Sequence, residues 1–146
     1  MALPDFESNG ELPAGLHQTT MSEALMRFGN ATRQRRIVAA RLLRIWNLVR
    51  ATGKIERLVI FGSFVTAKHD PNDVDIVLVM RDDFIINDCD EETKMLFDHR
   101  RATGEFGASI CWIRPSLLFL ETVDEFIRHW QIKRDRTRRG IVEVIA

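Results

Sequence analysis

The sequence predicts an α/β (α+β) single domain, on three observations. Short apolar runs built from aliphatic and β-branched residues recur at 58–61, 76–80, 108–113 and 141–145, the length and composition of buried strands. Between them lie longer stretches with apolar residues at helical spacing, clearest in Val38, Leu42, Ile45 and Val49. The two patterns alternate along the chain, and no repeat, low-complexity tract or second unit interrupts them.

Taken in order, residues 1–20 read as an irregular N-terminal arm with a turn at 12–16, and 21–146 as the domain. Thr20 or Ser22 caps a short helix through Phe28, which Gly29 or Asn30 ends. Thr32 opens a long helix to about Thr52, closed by Gly53. Trp46 widens its buried stripe, while Arg35, Arg36, Arg41, Arg44 and Arg50 lie mostly off it as a solvated face. Two strands follow, then a polar crossover over 82–90. Asp90 caps a helix from Glu91 to about Thr103, with acids in its first turn and arginines in its last, as the helix dipole favours. Gly104 stops it. A third strand at 108–113 ends at Arg114 and Pro115. Ser116 or Thr122 then starts a helix carrying Val123, Phe126, Ile127 and Trp130, and a charged turn at 133–139 leads through Gly140 into the last strand.

Composition limits the function classes. With 146 residues, 45% apolar and 29% charged, the chain can bury a full core. No run approaches the roughly 18 apolar residues of a membrane span. Residues 1–15 hold two prolines, two glycines and three acids, unlike a signal peptide, so a cytoplasmic protein is expected. Cys89 and Cys111 lack metal-type spacing and read as reduced thiols. His17, His69, His99 and His129 have no neighbours at zinc-ligand spacing. No serine or cysteine sits in a triad context. Net charge is zero, which argues against a dedicated nucleic-acid binder. Charge is nonetheless uneven: 76–105 carries four basic and eight acidic residues, and 124–140 six basic and three acidic. Arg134, Arg136, Arg138 and Arg139 are the candidates for contact with RNA or an acidic partner, against the plainer reading of a solvated hairpin. Trp46, Trp112 and Trp130 fall on apolar stripes and read as core.

The chemistry concentrates at Phe61-Gly62-Ser63-Phe64 and Asp73-Val74-Asp75, with nine residues between Ser63 and Asp73. A strand running into Gly-Ser offers a flexible backbone and a hydroxyl to a phosphate. Asp-x-Asp opening a strand puts two carboxylates on one face. Magnesium takes such hard oxygen ligands together with substrate phosphates. Gly62, Ser63 and Lys68 are therefore candidate nucleotide-binding residues, with His69 as further charge, and Asp73 and Asp75 candidate catalytic and metal-binding residues.

This Gly-Ser and Asp-x-Asp pair resembles the signature of the DNA polymerase beta-like nucleotidyltransferase superfamily. More widely, Leu12-Pro13-Ala14-Gly15-Leu16-His17, Phe28-Gly29, the arginine-rich helix and the segments 62–68, 71–73 and 130–142 look like a small bacterial family of nucleotidyltransferase-like proteins. The resemblance implies a mixed β-sheet of the nucleotidyltransferase type flanked by helices. It implies Gly62 and Ser63 at the triphosphate, Mg2+ on Asp73 and Asp75, and transfer of a nucleoside monophosphate from ATP or another nucleoside triphosphate to a protein or RNA hydroxyl. Related minimal enzymes work in toxin–antitoxin pairs, and a second copy or a partner chain would complete so small a core. One feature departs from the pattern. Active superfamily members carry a third carboxylate on a later strand, whereas no Asp or Glu lies between Glu105 and Glu121. Ser109 or Cys111 stands in its expected place, with Glu105 the nearest substitute. A catalytically degenerate protein that binds nucleotide or a partner is therefore the alternative expectation.

Overall fold

A computed structural model describes residues 3–145. Its centre is a five-stranded sheet formed by β1 (Gly15–Thr20), β2 (Ile55–Phe61), β3 (Val74–Met80), β4 (Ala108–Ile113) and β5 (Gly140–Ile145), in the order β1-β5-β2-β3-β4. The sheet is mixed: β1 runs parallel to β5 and β3 to β4, while β2 is antiparallel to β5 and β3.

Helices cover both faces, which is why the strands read as nearly unbroken apolar runs. Leu58, Ile60, Ile76, Leu78, Met80, Ile110, Val142 and Val144 point to one side, into a core shared with α1 (Met21–Phe28) and α2 (Arg33–Ala51). Val59, Val77, Val79 and Ile141 point to the other, against α5 (Val123–Arg128). The α5 layer is thin. It is tied to the sheet by Arg57, which bonds Asp124 at 2.5 Å and grips the buried Glu143 carboxylate at 2.7 and 3.0 Å.

The capping residues behave as their chemistry dictates. Thr20, Thr32, Asp90 and Thr122 each accept a backbone N–H at a helix start, and Thr122 forms a full capping box with Glu125. Val38, Leu42, Ile45, Trp46 and Val49 form the buried stripe of α2. Cys89 and Cys111 are free thiols. Among the described residues no helix is long and apolar enough to cross a membrane.

Four local expectations fail. Residues 15–20 are not irregular: they form β1, an edge strand whose partner is remote in sequence. The helix expected over 91–103 is two pieces, α3 (Glu91–Lys94) and α4 (His99–Phe106), because Asp98 accepts from Arg101 N–H and starts a new helix. Gly104 sits inside α4, and Gly107, in the left-handed region at φ +60°, ends it. Arg35 does not lie on a solvated face but is 4% exposed.

Candidate functional site

Gly62 follows the end of β2 with φ +78° and ψ −163°, a conformation open essentially to glycine alone. The chain then turns through a single 3-10 turn, Ser63–Val65, whose Phe64 and Val65 are drawn into the core. Arg35, reaching up from α2, holds this turn. Its guanidinium donates to the carbonyls of Phe28 at 2.9 Å, Phe64 at 2.8 Å, Thr66 at 2.7 Å and Lys68 at 2.5 Å. The N-terminal arm adds one more tie, Ala67 N–H to the Gly10 carbonyl at 2.9 Å. The Gly62–Lys68 backbone is thus set by long-range bonds rather than left as a free loop.

Phe61 pairs with Asp75 across β2 and β3, so the Gly-Ser turn and the Asp-x-Asp meet. The approach is close: a Cβ at Gly62 would stand 2.1 Å from Asp75 Oδ2. Asp73 lies just before β3, near enough for its charge to act on Asp75. Neither carboxylate has a hydrogen bond or ion pair among the described residues, and both are half-buried. Burial first, and Asp73 second, push the Asp75 carboxyl up to about 6, while Arg139 pulls the other way. Two unpaired, partly desolvated carboxylates side by side suit a divalent cation. They are a pair only: among the described residues no group of three or more His, Cys, Asp or Glu gathers as a metal site.

Because the folded-state value for Asp75 lies above the ordinary 3.8, the folded chain holds this proton more tightly than the unfolded one. That contribution to stability is complete below the ordinary value and is lost as pH rises through about 6. In metal-free buffer the melting temperature of wild type should therefore fall relative to Asp75→Asn between about pH 4 and 6.5. Melting curves for the two proteins that stay parallel over that range would show that Asp75 carries no such strain.

Asp75 opens on a cleft of about 730 Å³. One wall is the α5 face of the sheet, with Phe61, Ser109 and Cys111. The other is the hairpin after α5, where Ile132 bridges Arg138. Ser109 is the parallel register partner of Asp75, with Cys111 two residues on along the same face. The strand beside Asp75 thus presents a hydroxyl and a thiol on this face, and no carboxylate. Glu105 does not substitute: it is exposed on α4 and bonded to Arg44 at 3.1 Å. Lys68 and His69 are exposed and are not part of the cleft wall; Lys68 is held through its backbone, its carbonyl accepting from Arg35 and its N–H donating to Thr66 Oγ1. Ser63 is half-buried beside Gly62, and its hydroxyl has no hydrogen bond among the described residues. Trp130 is core only in part, since it stacks on Phe61 with ring centroids 4.6 Å apart and lines the cleft. A second hollow, about 320 Å³ under Phe84 and Cys89, has its Lys54 and Asp83 already paired at 2.7 Å.

The chain matches DUF6932, a family of unknown function, over residues 4–145. It belongs to that family. The match takes in the N-terminal arm, the Gly-Ser turn, both aspartates and the hairpin over the cleft. No curated protein and no solved structure matches the chain.

Sequence reasoning missed two participants at this site. The sequence pattern puts Arg35 on a solvated face, whereas its partners are backbone carbonyls that leave no residue pattern. Arg139 was grouped with the hairpin arginines, though its side chain turns inward over Phe61 at 4.9 Å. Its position directly before Gly140 and the last strand was the one signal available.

Proposed function

We propose that the cleft is a nucleotide site of the nucleotidyltransferase type. It would bind a nucleoside triphosphate, ATP being the first to test, with Mg2+ on Asp73 and Asp75, and transfer the nucleoside monophosphate to a protein or RNA hydroxyl. The observation that carries this reading is the contact between Gly62 and Asp75, which makes a phosphate-type turn and a carboxylate pair one site. The mixed sheet supports it, with Gly-Ser closing one strand and Asp-x-Asp opening its antiparallel neighbour.

When bound, the ion would neutralise triphosphate charge and acidify an attacking hydroxyl. The chain's own residues do the rest. Gly62 lets the turn come close to Asp75, and the unpartnered Ser63 hydroxyl beside it would donate to a phosphate. Asp75 is mainly ionised at neutral pH and ready to ligate. An acceptor surface is expected from a partner chain or a second copy, since among the described residues only α5 and the hairpin after it cover that face of the sheet.

A second reading, nucleotide binding without turnover, is favoured by Ser109 standing where the third acid belongs. Calorimetric titration of ATP and a non-hydrolysable analogue with magnesium tests the shared part. Wild type should bind, and the Asp73→Ala/Asp75→Ala double variant should lose binding by about tenfold or more. Equal affinity in the two proteins would remove both readings. Pyrophosphate release with labelled ATP and candidate acceptors then separates transfer from binding.

A further inference from the structure

The cleft holds a cation without a counter-ion. Arg139 is half-buried, and its Nε donates to the Trp130 carbonyl at 2.9 Å. The guanidinium carbon sits over Phe61, 4.9 Å from the ring centre and within cation–π range, and Phe61 in turn packs on Trp130. The hydrogen bond and the ring contact together hold the guanidinium in place. The terminal nitrogens have no hydrogen-bond acceptor among the described residues, and Arg139 makes no ion pair there. None of the described buried side-chain nitrogens is left unpaired, so these two keep access to solvent, and Arg139 lines the cleft. Glu11 and Asp75 act on Arg139 only at longer range, and burial works against its charge. Glu11 is engaged elsewhere, with Lys133 at 3.0 Å.

A half-buried guanidinium with one nitrogen bonded and two donors open on a cleft is available to an anion. The planar fork matches two oxygens of one phosphate, a contact stronger and more directional than a lysine makes. We infer that Arg139 is an anion-anchoring residue of the cleft, binding a phosphate of a polyphosphate ligand through its two terminal nitrogens. It works beside Asp75, at the side of the cleft where the aromatic pair closes the wall. As a triphosphate contact it rests on the nucleotide reading above; as a polyphosphate site it does not.

The test is titration of inorganic tripolyphosphate in EDTA, and separately of ATP with magnesium, into wild type, Arg139→Met, Arg139→Lys and Asp73→Ala/Asp75→Ala. Wild type should bind metal-free tripolyphosphate, Arg139→Met should weaken it about tenfold or more, and Arg139→Lys should recover only part. The double aspartate variant should bind it at least as well, because two like charges are gone. If Arg139→Met does not fold, as its melting curve would reveal, Arg139→Lys decides: affinity equal to wild type overturns the role of the fork. Tripolyphosphate that fails to bind wild type, or that binds wild type and Arg139→Met alike, overturns the proposal. ATP with magnesium binding no tighter than tripolyphosphate and indifferent to Asp73 and Asp75, with tripolyphosphate still dependent on Arg139, removes the nucleotide reading and supports the anion site.

Discussion

Gly62→Ala should abolish the proposed magnesium-dependent nucleotide binding and destabilise the fold by about 3 kcal/mol. Two costs combine. The backbone at φ +78° and ψ −163° disfavours any Cβ, at about 1–3 kcal/mol. The added methyl would also stand 2.1 Å from Asp75 Oδ2 and 3.1 Å from its Cγ, so the carboxylate must swing away or β2 and β3 must separate. Urea unfolding of Gly62→Ala, Asp75→Ala and the double variant resolves the two. Removing the carboxylate relieves the clash and leaves the backbone strain, so the double variant should be more stable than the sum of the singles predicts. Strict additivity would mean that the turn and the aspartate do not share a site.

The second large effect is expected at Arg35→Met, about 4 kcal/mol. The side chain is 4% exposed, and its loss leaves the Phe28 and Phe64 carbonyls buried without a donor and those of Thr66 and Lys68 poorly served. An unpaired buried acceptor costs about 1–3 kcal/mol, and neighbouring ones do not add fully. Because three of those carbonyls, Phe64, Thr66 and Lys68, lie in the Gly62–Lys68 segment, the proposed nucleotide affinity should fall together with stability. Arg35→Lys, with one ammonium in place of a fork, should regain less than half of either. A urea midpoint equivalent to less than 1 kcal/mol below wild type would mean that water replaces the guanidinium, and that Arg35 does not organise the turn.

Features carried by local chemistry could be read in advance. The strands β2 to β5 announce themselves as apolar runs because helices cover both faces of the sheet. The caps at Thr20, Thr32, Asp90 and Thr122 are each set by one side chain and one nearby N–H. The antiparallel meeting of the Gly-Ser and Asp-x-Asp segments follows from two such strands joined by a loop of modest length. What escaped depends on distant partners. Gly15–Thr20 has half-polar composition and becomes a strand only because Gly140–Ile145 lies alongside. Asp98 competes with the continuation of the helix started at Asp90, and propensity alone does not say which carboxylate wins. Lys68 carries the right charge in the right loop, yet that loop turns its side chain outward while its carbonyl faces Arg35. Arg139 becomes part of the cleft through Phe61 and Trp130, aromatic partners from two other elements.

The pairing of β1 with β5 has a consequence for how the molecule comes into being. β5 lies between β1 and β2, so the first and last strands in sequence sit side by side in the sheet. During synthesis β1 waits unpaired until the closing strand has left the ribosome, and until then β2 offers a bare apolar edge. Such long-range closure is slow by its topology. The nascent chain therefore exposes that edge while it is made, and the cleft beside Asp75, whose hairpin wall directly precedes β5, is the last part of the domain to be completed.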